Sequence, residues 1–127
     1  STTATIGCAQ QSLTLPTSWG GTINLKLLFT STNVTNTNTQ KWTVSTKCST
    51  PTGGAGATDD PATFNTAQTL TYTNGASEVV ASLRTVAQTG VTVTGCTAGD
   101  LLHLRIGRDI SDSATDTLEV VGVEVTL

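Results

Sequence analysis

The stretch Thr22-Ile23-Asn24-Leu25-Lys26-Leu27-Leu28-Phe29-Thr30, TINLKLLFT, decides the fold. Ile23, Leu25, Leu27 and Phe29 fall on one side of an extended chain, and Asn24, Lys26, Leu28 and Thr30 on the other. A period of two marks a half-buried strand, because successive side chains of a pleated backbone point to opposite faces. The same period recurs on both sides of it. Upstream, QSLTLP aligns Leu13 with Leu15 and stops at Pro16, which cannot donate to a central ladder, and TSWGG supplies the turn. Downstream, KWTVSTKCST places Trp42, Val44, Thr46 and Cys48 on one face. AQTLTYT ends at Asn74-Gly75, a pair that tolerates positive φ and signals a turn. SEVVASLRTVAQTG is helical or extended by pattern alone; its Val and Thr content, the alternation Val79, Ala81, Leu83 and its end at Gly90 favour a strand, with a helical turn near Glu78 as the alternative, and a short strand VTVTG follows. LLHLRIGRD and LEVVGVEVTL bring the count to about eight strands. That spacing predicts an all-β chain, a single antiparallel β-sandwich or jelly roll over residues 1–127. STTATIGCAQQ alternates weakly, so residues 1–12 are either the first strand or an N-terminal arm.

Composition agrees. Threonine and valine, both stiff at χ1 and suited to a pleated surface, are heavily used, and methionine is absent. A chain of 127 residues can bury about two thirds of its unfolded surface, enough to fold without metals or disulfides, and nothing forces a cofactor for stability. Net charge is −3, with six Lys plus Arg, so no basic patch exists to attract phosphates and nucleic-acid binding is not expected. No apolar run reaches the roughly 18 residues of a membrane span. STTATIG has neither the basic start nor the apolar centre of a secretion signal, and the chain reads as a standalone protein.

The three cysteines, Cys8, Cys48 and Cys96, cannot all pair within one chain, and with the single His103 they do not make four zinc ligands. They read as reduced thiols, with Cys48 a small buried hydrophobe on the face of Trp42. A Cys8–Cys96 bridge is the alternative, since both lie near strand ends. It would need an oxidising compartment.

The last 29 residues, GDLLHLRIGRDISDSATDTLEVVGVEVTL, hold two apolar strands around a knot of Arg and Asp. Leu102, Leu104 and Ile106 share one face, with His103, Arg105 and Gly107 opposite; Val121, Val123, Val125 and Leu127 share another. Paired as an antiparallel hairpin, these strands would set Arg105 across from Glu124 and bury Leu127 at the close of the sheet. Asp109, Asp112 and Asp116 lack the rhythm of a calcium loop and read as turn caps neutralised by Arg108. His103 stands without a serine elbow or orienting acid, so no catalytic residue, metal or cofactor is expected. His103 and Leu28, on outward faces, point instead to a subunit contact. The Gly- and Pro-rich run TPTGGAGATDDPATFN, residues 50–65 with Asp59 and Asp60, is the longest irregular stretch and a place for partner contact.

The succession LPTSWGGTINLKLLFT, KWTVSTKC, AGDLLHLRIGRD and DTLEVVGVEVTL resembles a family of small β-rich virion and tail structural domains of tailed bacteriophages and prophages. Leu15, Pro16, Trp19, Gly20, Gly21, Trp42, Gly99, Asp100, Arg105, Arg108, Asp109, Asp116, Thr117, Gly122, Val123 and Glu124 carry the resemblance, which spans residues 13–127. It implies a jelly-roll-like module, multimeric and often trimeric, with no catalytic residues to transfer. Its Arg and Asp positions then read as scaffold charges around the final hairpin and the subunit contact.

The expected function is therefore a non-enzymatic virion component, assembled in the host bacterial cytoplasm. It would be a capsid decoration (cement) protein or a small head or tail part, bound to major capsid or tail subunits and favouring a homotrimer. Leu28, His103, Arg105, Arg108, Asp109, Asp59 and Asp60 are its candidate interaction residues. A second hypothesis is a tail-fibre or spike tip whose 50–65 loop recognises a host glycan or protein, though few aromatics are left to form a sugar platform. A third, a hydrolase, would need paired carboxylates in a cleft, such as Asp59, Asp60 or Glu78 beside Asp112.

Overall fold

The structure is a computed structural model that describes residues 8–51, 64–109, 111–113 and 118–127. Those residues form seven strands: β1 Cys8–Thr14, β2 Thr22–Ser31, β3 Thr39–Ser49, β4 Gln68–Thr73, β5 Leu83–Thr92, β6 Leu101–Arg108 and β7 Leu118–Thr126. All pairings are antiparallel. One sheet has the order β1-β6-β3-β4 and the other β5-β2-β7, so the described chain is an all-β sandwich of four strands against three.

The alternation in β2 does what its sequence demands. Ile23, Leu25, Leu27, Phe29 and Ser31 are buried while the intervening residues are exposed or half-buried. As the central strand of its sheet, β2 sends this row against Trp42, Val44 and Leu70 of the opposite sheet. Phe29 packs edge-on against Trp42, with ring centroids 5.5 Å apart, and against Tyr72 at 5.4 Å. Such edge-to-face pairs add to the area term because the positive edge of one ring meets the negative face of the next.

Two expected strands merge into one. Gly90 does not end a strand; it sits at φ +64° inside β5 and donates its N–H to Asn24 Oδ1 at 2.9 Å. The register slips there, between Ile23 and Leu25, as a bulge that a glycine at positive φ permits. Val91 then re-enters the core instead of opening a new strand, which accounts for seven strands against about eight expected. The expected strand at Val79 and Ala81 also starts later. Residues 79–82 form a turn, with Ala81 at φ 58° and its N–H bonded to Ser31 O.

The C-terminal hairpin does not form. β6 lies between β1 and β3, while β7 pairs with β2 in the other sheet. Arg105 accordingly faces Gln10 and Ser45, with its guanidinium 4.3 Å from the Phe64 ring centroid, and Glu124 meets Lys26 at 3.5 Å. Leu127 is 49% exposed, so it closes no sheet. Alternation fixes which face a side chain takes; it does not say which strand lies alongside.

The cysteine reading is corrected as well. Cys48 does face inward with Trp42, but it is joined to Cys96, with Cα atoms 5.3 Å apart. This excludes both the reduced pair and a Cys8–Cys96 bridge. Cys96 is brought there by the turn that precedes β6, which is pinned to the end of β1 by Leu15 N–H to Asp100 O at 2.8 Å and Gly99 N–H to Leu15 O at 3.0 Å. The bridge spans 48 positions of sequence and ties the end of β3 to that turn. Chain-entropy arguments give such a link about 2–4 kcal/mol. Thiol titration of the denatured, unreduced protein should find one thiol per chain, and reduction or a Cys48→Ser, Cys96→Ser double variant should lower urea-unfolding stability by about 2–4 kcal/mol.

Candidate interaction surface

Of the residues selected from sequence, the described ones do not converge. Leu28 is half-buried on the outer face of the three-stranded sheet, where its Cδ1 lies 3.9 Å from the place a Cβ on Gly122 would occupy. His103 is on the outer face of the other sheet by register, yet only 5% exposed. Ser12 Oγ lies 2.7 Å from its Nδ1 and Ser49 Oγ 3.1 Å from its Nε2, so both ring nitrogens are engaged by neighbouring strands. A neutral imidazole donates through one nitrogen and accepts through the other, and hydroxyls satisfy both roles. His103 therefore stitches β1, β6 and β3 together and is not presented to a partner. Arg105, on the same face, is exposed over Phe64.

Arg108 and Asp109 lie at the far end of β6. Arg108 is held in a two-pronged pair with Asp112, Nε to Oδ2 at 3.0 Å and Nη2 to Oδ1 at 3.1 Å. Asp109 Oδ1 accepts the Ser111 N–H at 2.9 Å, and that bond is the chief reason its carboxyl is held below the usual range. These are the turn caps and neutralising Arg that the sequence suggested. Among the described residues no three His, Cys, Asp or Glu side chains group as metal ligands. Asp59, Asp60 and Asp116 lie outside the described residues.

What the structure does assemble is an aliphatic patch at one end of the sandwich. Val79 is 65% exposed, Val80 56%, Leu83 58% and Val34 39%. Val34, Val79 and Val80 are carried by two loops, 32–38 and 74–82, that a buried polar cluster locks together, and Leu83 opens β5 directly after the second loop. Arg84, 3% exposed, donates from Nη1 to Asn74 Oδ1 at 3.0 Å and from Nη2 to the carbonyls of Asn33 at 2.9 Å and Val79 at 3.3 Å. Its Nε lies 3.2 Å from Glu78 Oε2. Asn74 Nδ2 in turn bonds Asn33 Oδ1 at 2.9 Å and Thr35 O at 3.0 Å. Tyr72 donates its hydroxyl to Glu78 Oε1, which also receives the Gly75 N–H at 3.2 Å.

Asn33, Asn74 and Glu78 turn their polar side chains inward to the cluster, while Val34, Val79 and Val80 face out beside the exposed Thr32, Thr35, Asn36, Thr37 and Ser77. Exposed aliphatic side chains grouped on a rigid base are a feature of protein-binding sites. Sequence reasoning missed it because Val79 was assigned to an alternating strand. The signal was the adjacent pair Val79-Val80, since two neighbouring aliphatics in extended chain cannot both face one core.

Electrostatics follow from the same contacts. The Tyr72 hydroxyl is the main cause that holds the Glu78 carboxyl below its usual range, helped by the Gly75 amide and Arg84, against desolvation. The same bond, with burial, raises the Tyr72 phenol. No protein-family profile, no curated protein and no solved structure matches this chain.

Because the folded value of Glu78 is depressed, its contribution is whole above its unfolded value of about 4.5 and is lost as pH falls through the folded one. Tyr72 acts in the other direction: its contribution holds below 10.0 and is lost as pH rises through its raised folded value. Glu78→Gln leaves the guanidinium buried without its counter-charge, which costs about 3 kcal/mol at neutral pH. In urea unfolding across a pH series, the gap between Glu78→Gln and the parent should narrow as pH falls below 4.5. A constant gap would mean that the carboxylate charge contributes nothing.

Proposed function

We propose that this chain is a non-enzymatic structural protein of a bacteriophage virion, a jelly-roll-like capsid decoration protein or small head or tail component that binds neighbouring virion subunits, with a homotrimer as its own assembly state. The observation that carries this reading is the group of exposed aliphatics Val34, Val79 and Val80, on loops fixed by a buried charge network, with Leu83 at the start of β5. A protein that worked alone in water would gain nothing from rigid, exposed aliphatics; one that adds to a shell gains an interface whose ordering is complete before binding. The Cys48–Cys96 bridge supports the same reading, since a cystine persists in an oxidising medium such as the one a released particle meets. The resemblance carried by Gly99, Asp100, Arg105, Arg108, Asp109, Gly122, Val123 and Glu124 supplies the virion context.

Quantitative mass spectrometry of purified particles should find this chain at a fixed ratio to the major coat protein, in multiples of three. A few copies per particle would move it to the tail, and absence from particles would end the virion reading. Val79→Asp and Val80→Asp, both at exposed sites, should leave urea stability within about 0.5 kcal/mol. They should weaken attachment to undecorated shells by about tenfold or more, the effect of placing an unpaired charge in an apolar contact. Unchanged attachment would remove the patch as the interface.

A further inference from the structure

The two sheets are unequal, and the inequality leaves a place for one more strand. On one side the sandwich is closed, where β4 approaches β5 and Gln88 Nε2 bonds Gln68 Oε1 at 3.3 Å. Counting from that side, β3 lies across from β2, as the Phe29–Trp42 contact requires, β6 lies across from β7, and β1 extends past the edge of the three-stranded sheet. Gln11 shows the consequence. It shares the inward face with its register partner Leu104, which is 1% exposed, yet Gln11 is exposed. Beneath it runs a groove of about 180 Å³ lined by Gln10, Gln11, Leu104, Ile106 and Val123. Its floor is aliphatic and its mouth carries two amides. Among the described residues β7 is an edge strand, so the N–H and C=O groups it turns away from β2 are open to an added strand.

The width of this seat restricts its occupant. A second copy pairing β7 to β7 antiparallel would be related by a two-fold axis perpendicular to the sheet. Its own four-stranded sheet would then arrive on the same side, where the two overhanging β1 strands would compete for one space. A single extended segment has no such obstacle. Its chemistry is set by the walls: side chains at alternate positions meet Leu104, Ile106 and Val123, and the others emerge beside Glu124, whose side chain is 59% exposed and already faces Lys26 at 3.5 Å on its β2 side, so an added strand's cation would share that carboxylate.

We propose that the groove beside β7 receives one extended strand from a neighbouring protein subunit, with small aliphatic side chains facing in and Lys or Arg facing out beside Glu124. This rests on the reading of the chain as part of an assembly and names how a neighbour would hold it. Strand addition of this kind takes affinity from backbone hydrogen bonds and specificity from the alternate side chains.

The probe is the peptide acetyl-Lys-Val-Thr-Val-Lys-Val-Thr-amide added to the full chain, read by amide hydrogen exchange, with the same peptide carrying Glu for Lys as control. The β7 amides that do not bond β2 should exchange fast in the free protein and slow by about tenfold or more with the basic peptide. The acidic peptide should give much less protection. Val123→Lys, and Gln11→Lys at an exposed position, should each abolish the effect; the second keeps the test valid if the first unfolds. No protection, equal protection by both peptides, or indifference to both variants overturns the proposal. So does finding those amides already slow in the free protein, which would mean that the chain fills its own seat. A chain absent from particles that still binds the basic peptide would sink the virion reading and leave this one standing.

Discussion

A guanidinium sealed between two sheets sets the conditions for one end of this molecule. An arginine almost wholly removed from water loses several kcal/mol of solvation, which only a counter-charge and well-placed carbonyls return. Arg84 finds Asn74, Glu78 and the Val79 carbonyl on the 74–82 loop and the Asn33 carbonyl on the 32–38 loop. The end of β4, the 74–82 turn, the 32–38 loop and the start of β5 must therefore all be in place before the charge is satisfied. Asn74, itself 3% exposed, is the second hub, because it spends its amide on the Asn33 loop while its oxygen takes the guanidinium. Ala81 accepts a left-handed backbone, and Thr37 does too, within the two loops this cluster holds. Strain of that kind survives where the surroundings over-determine the conformation.

The opposite end is fixed by different means. Asp100, 2% exposed, accepts the Thr97 N–H at 2.8 Å and the Thr97 hydroxyl at 3.1 Å, and the first of these bonds leads the causes that hold its carboxyl below the usual range. Its backbone pairs with Leu15, and the cystine lies four residues before it. The turn into β6 is thus tied both to the end of β1 and to the end of β3. Asn65 extends the tie, bonding Thr46 through its backbone at 2.8 Å and the Thr94 carbonyl through its side chain at 2.8 Å. A charge cluster at one end and a covalent link at the other leave the apolar middle, Leu27, Phe29, Leu102 and Leu104, fully enclosed.

Much of this was legible in the sequence, for reasons that also explain what was not. Alternation identified β2, β3, β6 and most of β7, and it chose the buried face of β2, β3 and β6, because period two is a local consequence of the pleat. In β7 it assigned Val121 and Leu127 to the core, yet they are 59% and 49% exposed, because the pairing skips Val121 opposite Leu28 and Phe29 and brings Val120 against the core instead. Pro16, Asn74-Gly75 and the aspartates after Arg108 marked real turns. Pairing is not local, and there the reading failed: β6 and β7 look like a hairpin by composition, yet they belong to different sheets. His103 lies on the side of its strand that alternation assigns, and what alternation does not show is that the hydroxyls of Ser12 and Ser49, far away in sequence, meet both of its nitrogens. The cysteines failed in the same way, because nothing local in Cys48 or Cys96 announces that two turns will bring them together. Gly90 was read as a terminator when the bonding of Asn24 makes it a bulge. The patch was obscured for a like reason. The buried Arg84 that organises it sits in a segment whose pattern suits a strand.

These features bear on how such a chain can associate without aggregating. Exposed strand edges and aliphatic side chains are hazards when a protein is free, and folds limit them with bulges, charges and short edges. Here β7 carries a register shift between Leu28 and Phe29 and a lysine–glutamate pair on its outer face, and the overhang of β1 stands in the way of sheet-to-sheet growth. The aliphatics at Val79 and Val80 sit on loops whose Asn33, Thr35 and Val79 carbonyls are already taken by Arg84 and Asn74. The strand edge and the aliphatic side chains left open are therefore limited by the uneven count of strands and by the buried charge, and both are properties of the fold itself.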